Sequence, residues 1–471
     1  MAVAPPATRA IPALPFASPE QLDPRLQELL AGASAQLGRW LASASSRSPL
    51  PQLALIPDAH PGTDGLEPLQ LLSDLQLVMD GAYNPNHPGA LAHLDPPPLL
   101  ASIAAELVCA GLNNNLLAEE LSPSLSRLER SLCSWLAEAI GLPDGSGGVP
   151  ASGGSLSNLM ALVTARCSRG LQHCSQAVVL ASDDAHVSLD KALMVMGLPP
   201  QALRRVPVDG QGRLKIDALA ESLAACRRQG TPVLAMVATA GTTVCGAVDP
   251  LPQIAALCRQ HEVWLHVDGA IGAVYALDGA HAARVEGLGL ADSVTVNPQK
   301  LLGITKTSSL LLLAQPALLQ QAFATGLPYM ESSWGGGHGG ECGLQGTRPA
   351  EVLKLWLGLR QLGLSGISAI LDGAIARRRS LQHLLTPVAR LQQRQGGLHL
   401  LAMTPEGLSA AAAEQWSVQT RQRLLEAQLM LSRPLYQGRY HLKAVLGNPH
   451  TAEPQLQRLA AIVSSSVAEL P

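Results

Sequence analysis

Two stretches near the middle of the chain decide its fold: VWLHVDGAIGA at residues 263–273 and ADSVTVNPQK at residues 291–300. Each carries an apolar, strand-forming run and closes on small or polar residues, the way a buried strand ends in a turn. Working outward, similar runs lie at 177–181 and 233–239, and helical stretches fall at 156–167, 189–196, 216–228 and 252–261. Strand, helix, strand at this spacing predicts a mainly parallel sheet with helices on its faces.

The flanks read differently. Residues 1–20 are rich in Pro and Ala and form a loose arm. A helix is predicted over 19–45, with Ser18 as its cap and Pro19 in its first turn, and a second over 69–79. Helices follow at 101–111 and at 124–140, the latter opened by Ser122 and Pro123. In the last hundred residues the alternation stops. Helices at 365–393 and 409–423, a strand at 440–446 and a final helix at 455–469 describe a small α+β domain. The division expected is 1–80 for the arm and its helices, 81–363 for a large α/β domain and 364–471 for the small one.

Composition narrows the function classes. The 471 residues carry 33 Lys and Arg against 36 Asp and Glu, a net charge of -3, which lacks the cationic excess of a nucleic-acid binder. With 47% hydrophobic residues the chain is no disordered tail. Aromatics are 3%, so Leu, Ala and Val must fill the core, as suits close helix-on-sheet layers. The longest apolar runs fall well short of the roughly 20 residues of a membrane span, and the N-terminus lacks the pattern of a signal peptide. Eight scattered cysteines without a CxxC pair read as reduced thiols of a cytoplasmic protein, with no metal site.

Four segments sit at strand ends or helix starts, where open α/β sheets bind ligands: PASGGSLSN (150–158), SDDAH (182–186), HVDGAIG (266–272) and SVTVNPQK (293–300). In the first, Gly153, Gly154 and Ser155 leave backbone N–H groups facing an anion at a helix N-terminus, although such a turn is also common in plain loops. Asp268 ends a buried strand and needs a cationic partner, or else caps the next helix. Lys300, alone, is as well read as a solvated charge. Taken in order, however, an anion-binding turn, a stacking candidate in His186, a strand-end Asp and, about thirty residues later, a strand-end Lys match the needs of one cofactor. A phosphate wants the helix N-terminus, a pyridine nitrogen wants a carboxylate, and an aldehyde wants an amine.

With the further segments LAHLDPPPL, NNNLLAEELSPSLSRLERSLCSWLAEAIGLP, DDAHVSLDKA, ATAGTTVCGAVDP and VNPQKLLG, the chain resembles the group II pyridoxal-phosphate-dependent amino acid decarboxylases, densely from about His87 to Arg360 and more thinly to Asn448. The family includes glutamate, cysteine sulfinate, aromatic amino acid and 2,4-diaminobutyrate decarboxylases. The resemblance implies an aspartate aminotransferase-like (type I) fold, pyridoxal 5'-phosphate as cofactor, and a homodimer whose N-terminal helices wrap the partner. It implies Lys300 as the Schiff-base lysine and Asp268 as the partner of the pyridinium nitrogen. His186 would stack on the ring, Ala270 would pack beneath it, Gly154, Ser155 and Asn297 would hold the phosphate, and Thr242 would lie near the cofactor. The activity implied is loss of carbon dioxide from an L-amino acid, giving the amine. LAHLDPPP is most like the diaminobutyrate subgroup and SGGSLSN like the glutamate and cysteine sulfinate enzymes, which leaves the substrate open.

The chain departs from the family pattern in several places. Gln299 stands where His is usual before the lysine, and Gly269 replaces an Ala, a mild change by sequence. The loop after the lysine, WGGGHGGECGLQGTR (334–348), lacks the family's tyrosine. His338 is then the nearest acid, Tyr329 lies upstream, and six glycines between Gly335 and Gly343 suggest a flexible lid. Arg348 is a candidate substrate contact, and Lys443, five residues before Asn448, stands where an Arg often holds the substrate carboxylate. The missing tyrosine raises an aldehyde-forming oxidative deaminase as an alternative, and a cofactor-binding protein without turnover as another. A dinucleotide-dependent oxidoreductase is excluded because no GxGxxG follows a first strand.

Overall fold

The computed structural model describes residues 15–53, 56–326, 331 and 333–470, in two compact units that divide between Asn84 and Pro85. Most of the predicted loose arm, and Tyr329, lie outside the described residues. The first unit holds α1 (Pro24–Ala42) and α2 (Pro68–Asp80). Helix α1 begins five residues later than the sequence predicts, because Asp23 rather than Ser18 caps it: its Oδ1 accepts from the Arg25 N–H at 2.9 Å, and Pro24 takes the first turn. Leu26, Leu30, Leu69 and Leu75 on these two helices are exposed.

In the second unit α3 (Leu100–Leu112) and α4 (Pro123–Ala139) precede a seven-stranded sheet. Its elements in chain order are β1 (Gly147–Ala151), α5 (Gly154–Ser168), β2 (Val178–Ser182), α6 (Ser188–Val195), β3 (Leu203–Val206), α7 (Ile216–Arg228), β4 (Val233–Thr239), α8 (Leu251–Gln260), β5 (Trp264–Gly269), β6 (Ser293–Val296) and β7 (Ser309–Leu313). The strand order is β1-β7-β6-β5-β4-β2-β3, with the run from β6 to β3 parallel and β7 antiparallel to both its neighbours. Pro150 and two glycines kept β1 from reading as a strand. It stands at the sheet edge, where a missing N–H is tolerated, and a Cβ on Gly148 would collide with the Leu311 carbonyl of β7.

Both faces of the sheet are covered, which is why its strands are apolar throughout. Val178, Leu180, Leu310 and Leu312 pack into one core with α4, α7 and α8, while the alternating Val179, Ala181, Leu311 and Leu313 pack into another with α5 and α6. Small alanines from both sides, such as Ala181 and Ala235 against Ala161 and Ala165, let α5 lie close over the strands.

Beyond α9 (Ala317–Phe323), the long α10 (Val352–Leu385) breaks helical geometry at Gly363, whose φ is 60°. The predicted helix over 365–393 therefore ends at Leu385, and its tail forms β8 (Leu391–Arg394). Strand β9 (Leu400–Pro405), α11 (Ala410–Glu426), the hairpin β10 (Leu435–Tyr436) and β11 (Arg439–Tyr440), β12 (Leu442–Val445) and α12 (Glu453–Ala468) complete the chain. The antiparallel sheet β12-β9-β8 and helices α11 and α12 enclose a third core. Among the described residues no helix is long and apolar enough to cross a membrane.

Candidate active site

Strands β4 and β5 are in register at Thr239 and Asp268, and β5 and β6 at Asp268 and Thr295, so three strand ends reach one level at the C-terminal edge of the sheet. There they open into a cavity of about 210 Å³. Its floor and walls include Thr239 from β4, Thr242 from the turn that follows, Asp268 from β5, Ala270 just after that strand, and Asn297 and Lys300 from the turn after β6. The start of α5 enters with Gly154 and Ser155, and the loop after β2 contributes Asp184 and His186.

The helix start is built for close approach. Gly153 precedes it at φ 109°, a conformation that favours glycine, and a Cβ on Gly154 would lie 2.9 Å from Nδ2 of Asn297. The Asn297 amide is oriented from behind: its Oδ1 accepts from Ser309 Oγ at 2.7 Å, and Ser309 Oγ lies 2.8 Å from Ser157 Oγ. With its oxygen engaged, Asn297 has its N–H groups left for a ligand beside the free N–H groups of α5.

Opposite, buried Asp268 accepts through Oδ2 from Asn158 Nδ2 at 2.8 Å and through Oδ1 from the Ala270 N–H at 3.2 Å. Burial pushes the Lys300 amine below the ordinary lysine value, and the Asp268 charge works against that. Burial likewise lowers His186, whose Nδ1 accepts from the Ser188 N–H at 3.2 Å. The Thr242 hydroxyl caps its own turn by accepting from the Ala247 N–H at 3.0 Å. The Thr239 hydroxyl, by contrast, is buried in the cavity wall without a partner among the described residues.

The structure thus brings together Gly154, Ser155, His186, Thr242, Asp268, Ala270, Asn297 and Lys300. Lys443 stands next to them: its Nζ donates to the carbonyl of Thr243, itself in the cavity wall, at 3.2 Å. Burial, with the Lys300 charge adding to it, lowers Lys443 to about 8. Arg348 is not there. It is buried in a two-point ion pair with Glu129, at 2.7 and 2.9 Å, and its remaining contact is the Leu116 carbonyl at 3.4 Å. A guanidinium so engaged does not offer a fork to a substrate. Neither does His338 line the cavity; its Nδ1 accepts from the Glu119 N–H at 3.4 Å.

Of the glycines around His338, Gly336, Gly339 and Gly340 lie against close neighbours, whereas Gly335 and Gly337 face open space at φ 74° and 71°. A Cβ on Gly336, Gly339 or Gly340 would run into Glu119, Arg348 or Leu117, and the Gly336 and Gly340 N–H groups donate to Glu119 and to the Leu117 carbonyl at 3.1 and 3.0 Å. Gly269 is likewise more than a mild change, because a Cβ there would meet Thr295 O at 2.9 Å and Ala273 Cβ at 2.8 Å. Gln299 is turned to the backbone, its Oε1 accepting from the Ser308 N–H. Sequence reasoning missed Asn158, Thr239 and His266. Asn158 stood in a quoted motif, and its spacing of one helical turn from Gly154 was the available signal.

A lysine and a buried carboxylate sharing a cavity with a helix N-terminus suit a cofactor that carries an aldehyde, a basic ring nitrogen and a phosphate. The comparisons agree. A model of the pyridoxal-dependent decarboxylase conserved domain matches residues 49–391, and the chain belongs to this family of carboxy-lyases. It is 32% identical over 317 residues to an aromatic-L-amino-acid decarboxylase of Bacillus atrophaeus, spanning 66% of this chain and 66% of that enzyme. It is 30% identical over 418 residues to an L-2,4-diaminobutyrate decarboxylase of Rhizobium meliloti (strain 1021), spanning 83% of this chain and 80% of the relative. In fold it matches the crystal structure of Oryza sativa TDC with PLP and tryptamine at a TM-score of 0.88, with 21% identity, over 96% of this chain and 99% of that one. The architecture is the type I pyridoxal-phosphate fold.

The cofactor is pyridoxal 5'-phosphate, and the residues present fit it. The amide cradle at Gly154, Ser155 and Asn297 suits the phosphate, Asp268 suits the ring nitrogen, Lys300 suits the aldehyde, and the unpartnered Thr239 hydroxyl offers a hydrogen bond to a polar group in the cavity.

Proposed function

We propose that the protein decarboxylates an L-amino acid to the corresponding amine, with pyridoxal 5'-phosphate held on Lys300. The observation that carries this reading is the convergence of Lys300, Asp268 and the start of α5 on one cavity at the sheet edge. When bound, the cofactor withdraws the electron pair left at Cα as carbon dioxide departs.

The chain's own residues do the rest. Asp268 keeps a proton on the ring nitrogen, His186 covers a ring face, and Gly154, Ser155 and Asn297 hold the phosphate. Lys443 receives the substrate carboxylate at the rim, as a point charge where an Arg would give a fork. Holding that carboxylate in place selects which bond at Cα is broken. The relatives described above are named for decarboxylation, which does not favour the aldehyde-forming alternative.

The substrate is an L-amino acid of the range those relatives cover, and the protein works as a cytoplasmic homodimer. Exposed leucines on α1 and α2 support a partner for the N-terminal helices. Borohydride reduction of the holoprotein followed by peptide mapping tests the reading: a pyridoxyl group on Lys300 is expected, and its absence from that peptide overturns it. Carbon dioxide release from a panel of amino acids then identifies the substrate.

A further inference from the structure

Asp268 is held by a buried chain of side chains that reaches the cavity wall at Asn158 and runs back from it into the sheet. On β5 the alternating Trp264, His266 and Asp268 share a face, and on β6 Ser293 and Thr295 lie beside His266 and Asp268 in register. Trp264 Nε1 donates to Ser293 Oγ at 2.9 Å, and Ser293 Oγ lies 2.9 Å from His266 Nδ1. His266 Nε2 is 3.1 Å from Asn158 Oδ1, which also accepts from Thr295 Oγ1 at 2.8 Å. Asn158 Nδ2 then donates to Asp268 Oδ2 at 2.8 Å and to Ser188 Oγ at 3.0 Å. Ser293, His266, Thr295, Asn158 and Ser188 are all at most 1% exposed.

The Asp268 end of this chain sets the hydrogen that His266 turns toward Asn158, and the Trp264 end is compatible with it. An indole N–H only donates, so Ser293 Oγ accepts there and has its single proton left for His266 Nδ1. An ionised carboxylate only accepts, so the Asn158 amide must turn its nitrogen to Asp268 and its oxygen to His266. His266 Nε2 must therefore carry a hydrogen. The Asp268 end demands a hydrogen on Nε2, and the Trp264 end leaves the Ser293 proton available to Nδ1 of a neutral ring. Burial favours that neutrality, lowering His266 to about 4.

We propose that Asn158 and His266 are positioning residues, a relay of oriented hydrogen bonds from Trp264 that holds the Asp268 carboxylate in a fixed orientation for the ring nitrogen of the cofactor. The proposal rests on the cofactor reading above. An amide that could rotate would present its oxygen to the carboxylate and repel it. Thr295 and the Nε2–H hydrogen of His266, both donating to Oδ1, prevent that rotation. The titratable groups facing Asp268 are His266 on its own strand, His186 from the loop after β2 and Lys300 from the turn after β6. Of these only His266 lies on the buried side and bonds to Asn158.

The test uses the full chain, in wild-type form and as H266F, H266Q, N158A and S293A. Nitrogen NMR of the apoprotein, with the His266 signals assigned by their loss in H266Q, should show a neutral Nε2–H ring; an Nδ1–H or charged ring overturns the proposal. Titration of each apoprotein with pyridoxal 5'-phosphate, followed by absorbance, should show affinity about tenfold weaker in N158A and H266F. The pH at which the bound cofactor's ring nitrogen loses its proton should fall by about one unit in both. H266Q, which keeps a donor toward Asn158, should recover part of each loss. Should H266F or N158A not fold, S293A, which removes only the hydroxyl that selects the tautomer, should still lower the titration midpoint. Variants that bind and titrate as the wild type overturn the relay. A wild-type protein with no borohydride-reducible adduct on Lys300 overturns the cofactor reading instead, while the NMR result still judges the tautomer.

Discussion

Lys443 Nζ donates to the Thr243 carbonyl oxygen at 3.2 Å, one residue past the Thr242 turn that borders the cofactor cavity. Its amine is lowered to about 8 by burial and by the charge of Lys300. Lys443 is therefore charged below that pH and loses its charge as pH rises through it. The grip proposed for it on a substrate carboxylate should be present below about pH 8 and lost above. Measured kcat/KM, which reports the free enzyme, should decline through that region. In K443R the guanidinium stays charged throughout, so this limb should vanish, whereas K443M should raise KM by about tenfold or more below about pH 8 and by less above it, where the wild-type amine is already neutral.

Arg348 and Glu129 form a buried two-point pair, so removing one partner strands the other. R348M should cost about 3–5 kcal/mol of unfolding free energy, and R348M with E129Q should recover much of it. Urea denaturation of the single and double variants measures both values. A double variant that stays folded with an unchanged KM would confirm that Arg348 does not hold the substrate.

A Cβ at Gly154 would sit 2.9 Å from the Asn297 amide nitrogen. G154A should push that amide aside and weaken pyridoxal 5'-phosphate binding about tenfold, ~1.4 kcal/mol, with little change in apoprotein stability. Cofactor titration and thermal melting of the apoprotein separate the two effects.

The Thr239 hydroxyl is buried and has no hydrogen-bond partner among the described residues. An apolar isostere should suit the apoprotein at least as well, so T239V should melt no lower than wild type. If the hydroxyl serves the cofactor, the same variant should lose about 1 kcal/mol of cofactor binding. Equal affinity in T239V and wild type would remove Thr239 from the site.

What was legible in the sequence was local. Asp268 and Lys300 end apolar strands, and Gly154 opens a helix after a turn of small residues, patterns that lie within a few positions of one another. What was illegible depended on register or on distant partners. Asn158 gains its meaning only when β5 places Asp268 and His266 opposite it, more than a hundred residues along the chain. Arg348 matched a motif by spacing, but Glu129, 219 positions away, decides what it does. Strand β3, LRRV, was hidden by two arginines that its edge position leaves partly exposed, and β1 by its Pro and glycines. In the glycine-rich loop, composition does not distinguish a glycine that makes room for a neighbour, such as Gly336, from one in open space, such as Gly337.

Helix α10 has a bearing on how the polypeptide can be divided. The expected boundary at residue 364 falls one position after its break at Gly363. Yet Ile367, Leu371, Ala374 and Ile375, all beyond the break, pack into a core of the large sheet, and Leu381 and Leu385 pack into the C-terminal core. The segment after Gly363 is thus a shared beam. A fragment starting at 364 would carry four orphaned side chains into water, and the piece left behind would have a hole in its core, so neither half should be obtainable alone as a well-behaved product. Dissection has to follow the side-chain allegiances along this beam, and the first cut that respects them lies between Ile375 and Leu381.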